Sequence, residues 1–353
     1  MKAAFAALAA CAMCLPQAVA AQAEVALDTG RIDRMLESFV AEGRTVGAEV
    51  LIWKDGEEKH FAAVGLADRE EGRPFARDTL VQIYSMTKPV TGVALMQLWE
   101  QGKFGLDDPL ARHLPQFAEL MPQVPLLYDP GTHWHYSAGV DVQARLVEVL
   151  SGQPFAEYVR DHIFRPLGMT DSAWQRDQAD LPRLAAIYVA GEGKALERMP
   201  EKERLAASFA GNPMTMGGSG IVTTVDDYMR FARMLLGEGE LDGARILQPA
   251  TVRLMATDQL DPRIETKDRL WLPSKGSGGF GFDFFVRTAP PQSPEENRGA
   301  VGEFFWDGFP SMLFWVDPQN DMAVVFATQK VPFDGTLHHD IRDAIYGPDY
   351  SGE

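Results

Sequence analysis

The chain has 353 residues, more than one simple hydrophobic core usually spans, so one large composite domain or two interlocked ones are expected. Its 46% hydrophobic, 24% charged and 10% aromatic residues are ordinary globular composition and exclude a mainly disordered, collagen-like or coiled-coil protein. With 50 acidic against 33 basic residues the net charge is −17. Such a surface repels phosphate backbones and anionic lipid, so no nucleic-acid partner is expected.

Residues 1–20 read as an export signal. Lys2 supplies the positive start, Ala3 to Leu15 are apolar but too short to span a bilayer, and Ala18-Val19-Ala20 offers small residues for cleavage. Both cysteines, Cys11 and Cys14, lie inside this segment, so the exported protein would have no disulfide. Leu8-Ala9-Ala10-Cys11 also resembles a lipoprotein box, but the apolar stretch before Cys11 is short, and plain export to the periplasm or medium ranks first. No later stretch has the roughly 18 uninterrupted apolar residues of a membrane span.

The spacing predicts a helix over Arg31 to Glu42, with Ile32, Met35, Leu36, Phe39 and Val40 on one face. Two strands follow, Ala48 to Trp53 and His60 to Val64, joined at Asp55-Gly56, a strong hairpin signal. A helix is predicted from Ser85 to Trp99. The stretch from about 105 to 210 shows two helical runs, Val140 to Leu150 and Phe155 to Phe164, and little β-type alternation. Thr224 to Leu236 reads as a helix that Thr224 caps. Strands are predicted over Phe280 to Val286, Gly302 to Trp306, Met312 to Val316 and Met322 to Thr328, with a turn at Asp317 to Asp321 and a last helix from Thr336 to Tyr346.

The economical assembly joins the N-terminal hairpin to the C-terminal strands in one antiparallel sheet, covered by helices from both ends. This is a mixed α/β (α+β) fold. Residues 24–90 and 211–353 form its discontinuous body and 91–210 a mainly helical insertion. A cleft is expected where the two meet, the usual place for a site.

Ser85-Met86-Thr87-Lys88 is the informative tetrapeptide. Residues i and i+3 share a helix face, which makes the Ser85 hydroxyl and Lys88 amine neighbours. A serine hydroxyl needs a base within reach, and a lysine of ordinary pKa about 10.4 can serve only if its surroundings lower that value. A helix start adds positive end-charge and free N–H groups near a developing oxyanion. Four common residues recur by chance, so the tetrapeptide alone is better read as a serine capping a helix with a solvated lysine one turn on.

Further motifs follow in order: Tyr136 within Trp134-His135-Tyr136-Ser137-Ala138-Gly139, and Trp306-Asp307-Gly308 at a strand end. Here the chain resembles the serine β-lactamase and penicillin-binding-protein superfamily, most nearly the class C β-lactamases and family VIII carboxylesterases. Tyr128-Asp129-Pro130-Gly131, Pro166 to Asp171, Gly217 to Thr224 and Val316-Asp317-Pro318 extend the likeness, which covers roughly residues 30 to 346 in the family's order.

The resemblance implies that Ser85 is the acylated nucleophile and that Lys88 and Tyr136 are the base pair, with either as the group that takes the proton. It implies an oxyanion hole from the backbone N–H groups of Ser85 and Phe309. Two departures bear on substrate. Trp306 stands where the lactamases and D-alanyl-D-alanine peptidases carry a lysine for the substrate carboxylate, with Asp307 adding negative charge, and Ala138 stands where they carry an amide-gripping asparagine. Both point toward small uncharged esters, with Trp306, Gly308, Trp134 and His135 as substrate-binding candidates. Gly308 is expected to let the acyl group approach closely. A β-lactamase or D-alanyl-D-alanine peptidase is the alternative enzyme of the superfamily, and a non-catalytic β-lactamase-like relative that binds a ligand in the cleft is the alternative of a different functional class.

No metal or other cofactor is expected. His133 and His135 lack a third ligand for zinc. Ser137 lacks the G-x-S-x-G setting of a nucleophile elbow. Gly217 to Gly220 reads as a tight turn, and His338-His339 as a pair on a solvated helix face. Nothing in the sequence reports an oligomeric state.

Overall fold

The computed structural model describes residues 25–136, 138–191, 195–205, 215–264 and 275–352. The export segment 1–20 with Cys11 and Cys14, the boundary near residue 210 and Ser137 lie outside the described residues.

Asp55 and Gly56 both have positive φ, 53° and 78°, and join β1 (Gly47–Lys54) to β2 (Glu57–Asp68) in the predicted hairpin. A short β3 (Arg73–Pro74) follows. The C-terminal strands are β4 (Gly278–Phe280), β5 (Phe285–Arg287), β6 (Phe304–Gly308), β7 (Met312–Asp317) and β8 (Met322–Thr328). Among the described residues these eight form one antiparallel sheet in the order β4-β5-β6-β7-β8-β1-β2-β3. The joint between the two ends of the chain is β1 on β8, with Val50 opposite Phe326.

Both faces of the sheet are covered. Neighbouring residues on a strand point to opposite sides, so Phe314 and Trp315 report one face each. Phe314 packs edge-on against Tyr228 of α4 (Val225–Leu236), whereas the Trp315 indole donates to the Tyr346 hydroxyl of α5 (Gly335–Tyr346). On the α5 face, Phe326 meets Phe39 of α1 (Thr29–Ala41). On the α4 side lie α2 (Thr87–Glu100) and α3 (Gly139–Ser151), which pack on each other. Burial on both sides explains why β7 and β8 read as unbroken apolar runs.

Local chemistry sets the helix ends. Asp28 caps α1 through the Arg31 N–H, and the Thr224 hydroxyl accepts from the Asp227 N–H at 3.2 Å, as expected for a cap. Asp317 accepts from the N–H groups of Gln319 and Asn320 in the turn before β8.

Three expectations change. Phe280 to Val286 is two strands rather than one, because Asp283 takes a positive φ of 67° and reverses the chain. The helical middle contributes strands Tyr188–Ala190 and Leu196–Arg198, and the first of these pairs in parallel with Lys330–Val331. His338 is buried, not solvated. It is 2% exposed between the Phe326 and Phe333 rings with Nε2 2.9 Å from the Ser311 carbonyl, and burial pushes its pKa down to about 4. His339 lies closer to the surface, 3.8 Å from Asp343.

Candidate active site

Ser85 lies in a single 3₁₀ turn, Tyr84–Met86, immediately before α2. Tyr84 has a φ of 45°, an unfavourable conformation for a bulky residue that marks this turn as held in place by its surroundings. Several neighbours hold it. The Ile83 N–H donates to the Ile221 carbonyl, the Tyr228 hydroxyl donates to the Met86 carbonyl at 2.7 Å, and β6 presses on it from the sheet. Gly308 is the point of closest approach: a Cβ there would stand 2.5 Å from the Ile83 carbonyl oxygen. Proximity to the Ile83 backbone by itself demands a residue without a side chain at this position.

Ser85 and Lys88 share one face, as the spacing predicts. Lys88 Nζ is 3.0 Å from Ser85 Oγ. Tyr136, on the segment leading into α3, brings its hydroxyl to 2.7 Å from the same Oγ. The three groups therefore meet at one oxygen. The lysine also lies 4.6 Å from the centre of the Tyr136 ring, and it donates to the Gly218 carbonyl at 2.8 Å.

That last contact gives the Gly217–Gly220 segment a role beyond a turn. The Gly218 N–H donates to Asp141 Oδ1 of α3 at 2.9 Å, the Thr91 hydroxyl donates to the Gly217 carbonyl, and the Trp174 indole donates to the carbonyls of Met216 and Ser219. A side chain at 217 would strike the Val140 carbonyl at 2.3 Å. The segment is clamped so that one carbonyl faces Lys88. Gly217 to Gly220 is legible in the sequence as special backbone, but nothing local marks Gly218 as the lysine's acceptor.

Trp306 is 1% exposed and stands behind the tyrosine, ring centres 5.6 Å apart. Phe280 packs against both Trp306 and Trp134, at 5.2 and 5.0 Å, and the four rings make an aromatic wall that includes an unpredicted member, Phe280. Phe309 is 49% exposed, with its ring 5.9 Å from Tyr84. His135 is exposed. His133 stacks on Tyr128 and bonds Thr132, and Ala138 is exposed at the start of α3.

Asp307 does not add an unbalanced charge. Its carboxylate pairs with the buried ammonium of Lys275, which lies 4.3 Å from the Trp306 ring centre. A lysine does reach this neighbourhood, but from outside the motif and with its charge already balanced.

The profile described as Beta-lactamase matches residues 32–120 and 116–346. The chain belongs to the beta-lactamase family. Within that family it is similar to Protein Rv1367c of Mycobacterium tuberculosis (strain ATCC 25618 / H37Rv), 28% identical over 82% of this chain and 87% of the relative. Esterase EstB of Burkholderia gladioli is 26% identical over 90% of this chain and 94% of its own. Among solved structures, EstCE1, described as a hydrolase with promiscuous acyltransferase activity, superposes with a TM-score of 0.76 at 25% identity over 90% of this chain and 98% of that one. As a member of the beta-lactamase family with esterase relatives, the chain is a serine hydrolase.

Proposed function

We propose that the protein is an exported esterase that cleaves small, uncharged carboxylic esters through an acyl-enzyme on Ser85. The observation that carries this reading is the convergence of Lys88 Nζ and the Tyr136 hydroxyl on Ser85 Oγ, at 3.0 and 2.7 Å. In the proposed cycle Ser85 Oγ attacks the ester carbonyl carbon while the Lys88/Tyr136 pair takes its proton. The carbonyl oxygen becomes an oxyanion facing the N–H groups of Ser85 and Phe309. Collapse breaks the ester C–O bond, and the leaving alkoxide receives the proton. Water then attacks the acyl-enzyme with the same pair as base, which releases the acid and restores Ser85.

Neutral substrates are favoured by the aromatic wall and by the pairing of Lys275 with Asp307, which leaves that ammonium engaged away from a substrate carboxylate. The similarity to EstB, an esterase, and to EstCE1, a hydrolase, supports ester chemistry. The promiscuous acyltransferase activity of EstCE1 extends the reading to acyl acceptors other than water. Export rests on the residue pattern of the first twenty positions.

The test is a panel of short-chain p-nitrophenyl esters, D-amino-acid amides and cephalosporins against the wild type and Ser85→Ala. Ester turnover lost in Ser85→Ala supports the reading. Full turnover in that variant, or cephalosporins cleaved better than esters, overturns it. An active-site fluorophosphonate that fails to label the folded protein at Ser85 favours a ligand-binding role instead.

A further inference from the structure

Asp283 is a buried acid that the proposed cycle does not use. It sits at the tip of the β4–β5 turn in a left-handed conformation that favours glycine, φ 67°. Its side chain enters the protein and lies against α2 at Gly92, where a Cβ would stand 2.6 Å from Asp283 Oδ2. A glycine in the middle of a helix and a non-glycine residue at positive φ are each unfavourable alone. Here the two features are complementary, because both are needed to lodge this carboxyl against the helix.

The place it occupies is specific. Gly92 is four residues after Lys88, one turn along α2, and residues at that spacing share a face. The carboxyl thus lies against the face of α2 that also carries Lys88, the lysine that bonds Ser85. Oδ1 faces the Gln143 amide of α3 at a long 3.4 Å, and Oδ2 has no hydrogen-bond partner among the described residues. A buried acid with one weak contact gains little by way of ordinary structural bonding. Burial pushes the carboxyl up to about 7, against smaller pulls from the Gln143 amide and from the charge of Lys88, which acts on it through space.

We propose that Asp283 is a positioning residue of the active site, a counter-charge set one turn along α2 from Lys88 that controls how readily the lysine holds a proton during the Ser85 cycle. A negative charge there stabilises the ammonium that forms when the Lys88/Tyr136 pair accepts the serine proton. It also makes deprotonation of the pair harder, which moves the working pH range upward. Among the described residues, the titratable groups near Lys88 are Tyr136 from the segment before α3, Asp141 from α3 and Asp283 from the β4–β5 turn. Asp141 Oδ1 and Lys88 Nζ each lie 3.4 Å from the point where a Gly218 side chain would begin. Asp141 is bound to the Gly218 N–H, which leaves Asp283 as the acid whose free oxygen has no such tie.

The experiment compares wild type with Asp283→Asn, which keeps the volume and the Gln143 contact. Protein carrying ¹³C-labelled lysine gives the pH midpoint of the Lys88 Cε resonance directly, assigned with Lys88→Arg. The midpoint is expected to fall in Asp283→Asn, because the variant removes a buried negative charge that favours the ammonium. The pH profile of kcat/KM for a short-chain ester should move to lower pH with it. An unmoved midpoint overturns the proposal, even if the variant is less stable or slower, because a purely structural role changes rate and stability without moving a titration. The resonance arm needs no ester turnover. A shifted midpoint in a protein whose Ser85→Ala variant still cleaves esters would therefore sink the hydrolase reading and leave the Asp283–Lys88 coupling standing.

Discussion

Lys275 and Asp307 pair with each other in the protein interior, directly beside the indole of Trp306. Both side chains are below 10% exposed, at 6% and 8%. A buried pair contributes little net stability against a well-packed apolar substitute, but removing one partner leaves an uncompensated charge. Lys275→Met is therefore expected to cost about 3 kcal/mol in urea unfolding, whereas the double variant Lys275→Met/Asp307→Asn should recover more than half of that loss. Equal stabilities for the single and double variants would show that the pairing is energetically idle.

Tyr136→Phe removes the oxygen 2.7 Å from Ser85 and keeps the ring that packs on Trp306 and Trp134. If the phenol belongs to the base pair, kcat for p-nitrophenyl acetate falls about 10²- to 10⁴-fold while the melting temperature stays nearly constant. Stopped-flow burst kinetics locate the defect in acylation. A variant within a few-fold of wild type would assign the proton to Lys88 alone.

The parts of this architecture that are legible in the sequence are those specified by neighbours in the chain. Asp55-Gly56 carries its own turn conformation, and the apolar spacing of Ile32, Leu36 and Phe39 marks a helix face. Ser85, Lys88 and Tyr136 stand out because a motif and its order along the chain name them. Other features depend on contacts distant in sequence. Phe280 to Val286 is apolar enough to read as one strand, and its only acid, Asp283, gives no local sign that it turns the chain inward. His338 looks like any helix-surface histidine until Ser311, 27 residues earlier, supplies a buried carbonyl. Lys275 is 32 residues from Asp307 and belongs to no motif.

Gly308→Ala tests the packing that places the nucleophile. The new Cβ would lie 2.5 Å from the Ile83 carbonyl, a backbone atom that cannot rotate away, so β6 and the Ser85 turn must separate. A displacement of this kind near reacting groups costs about 10²-fold. The expected result is at least that loss in the rate of fluorophosphonate labelling at Ser85, with the far-ultraviolet circular dichroism retained. Wild-type labelling would show that the turn tolerates the shift.

Glu49 offers a test of stability away from the site. It lies in the middle of β1, wholly buried opposite Ala63 and Ala327, and neither carboxylate oxygen has a partner among the described residues. Burial raises its pKa well above the ordinary value, and the negative charges of Asp226 and Asp78 push the same way against an opposing pull from Arg77. The folded protein thus keeps the proton to a higher pH than the unfolded chain does. Its contribution is fully favourable below the unfolded pKa of about 4.3, and it is lost as the pH rises toward the folded value, at up to about 1.4 kcal/mol per pH unit. Glu49→Gln has no proton to lose. Its stability relative to wild type should therefore rise steadily from pH 4 to pH 8 in urea titrations, with near equality at the acid end. A constant difference across that range would mean that Glu49 is ionised in the folded state, with a counter-charge holding it there.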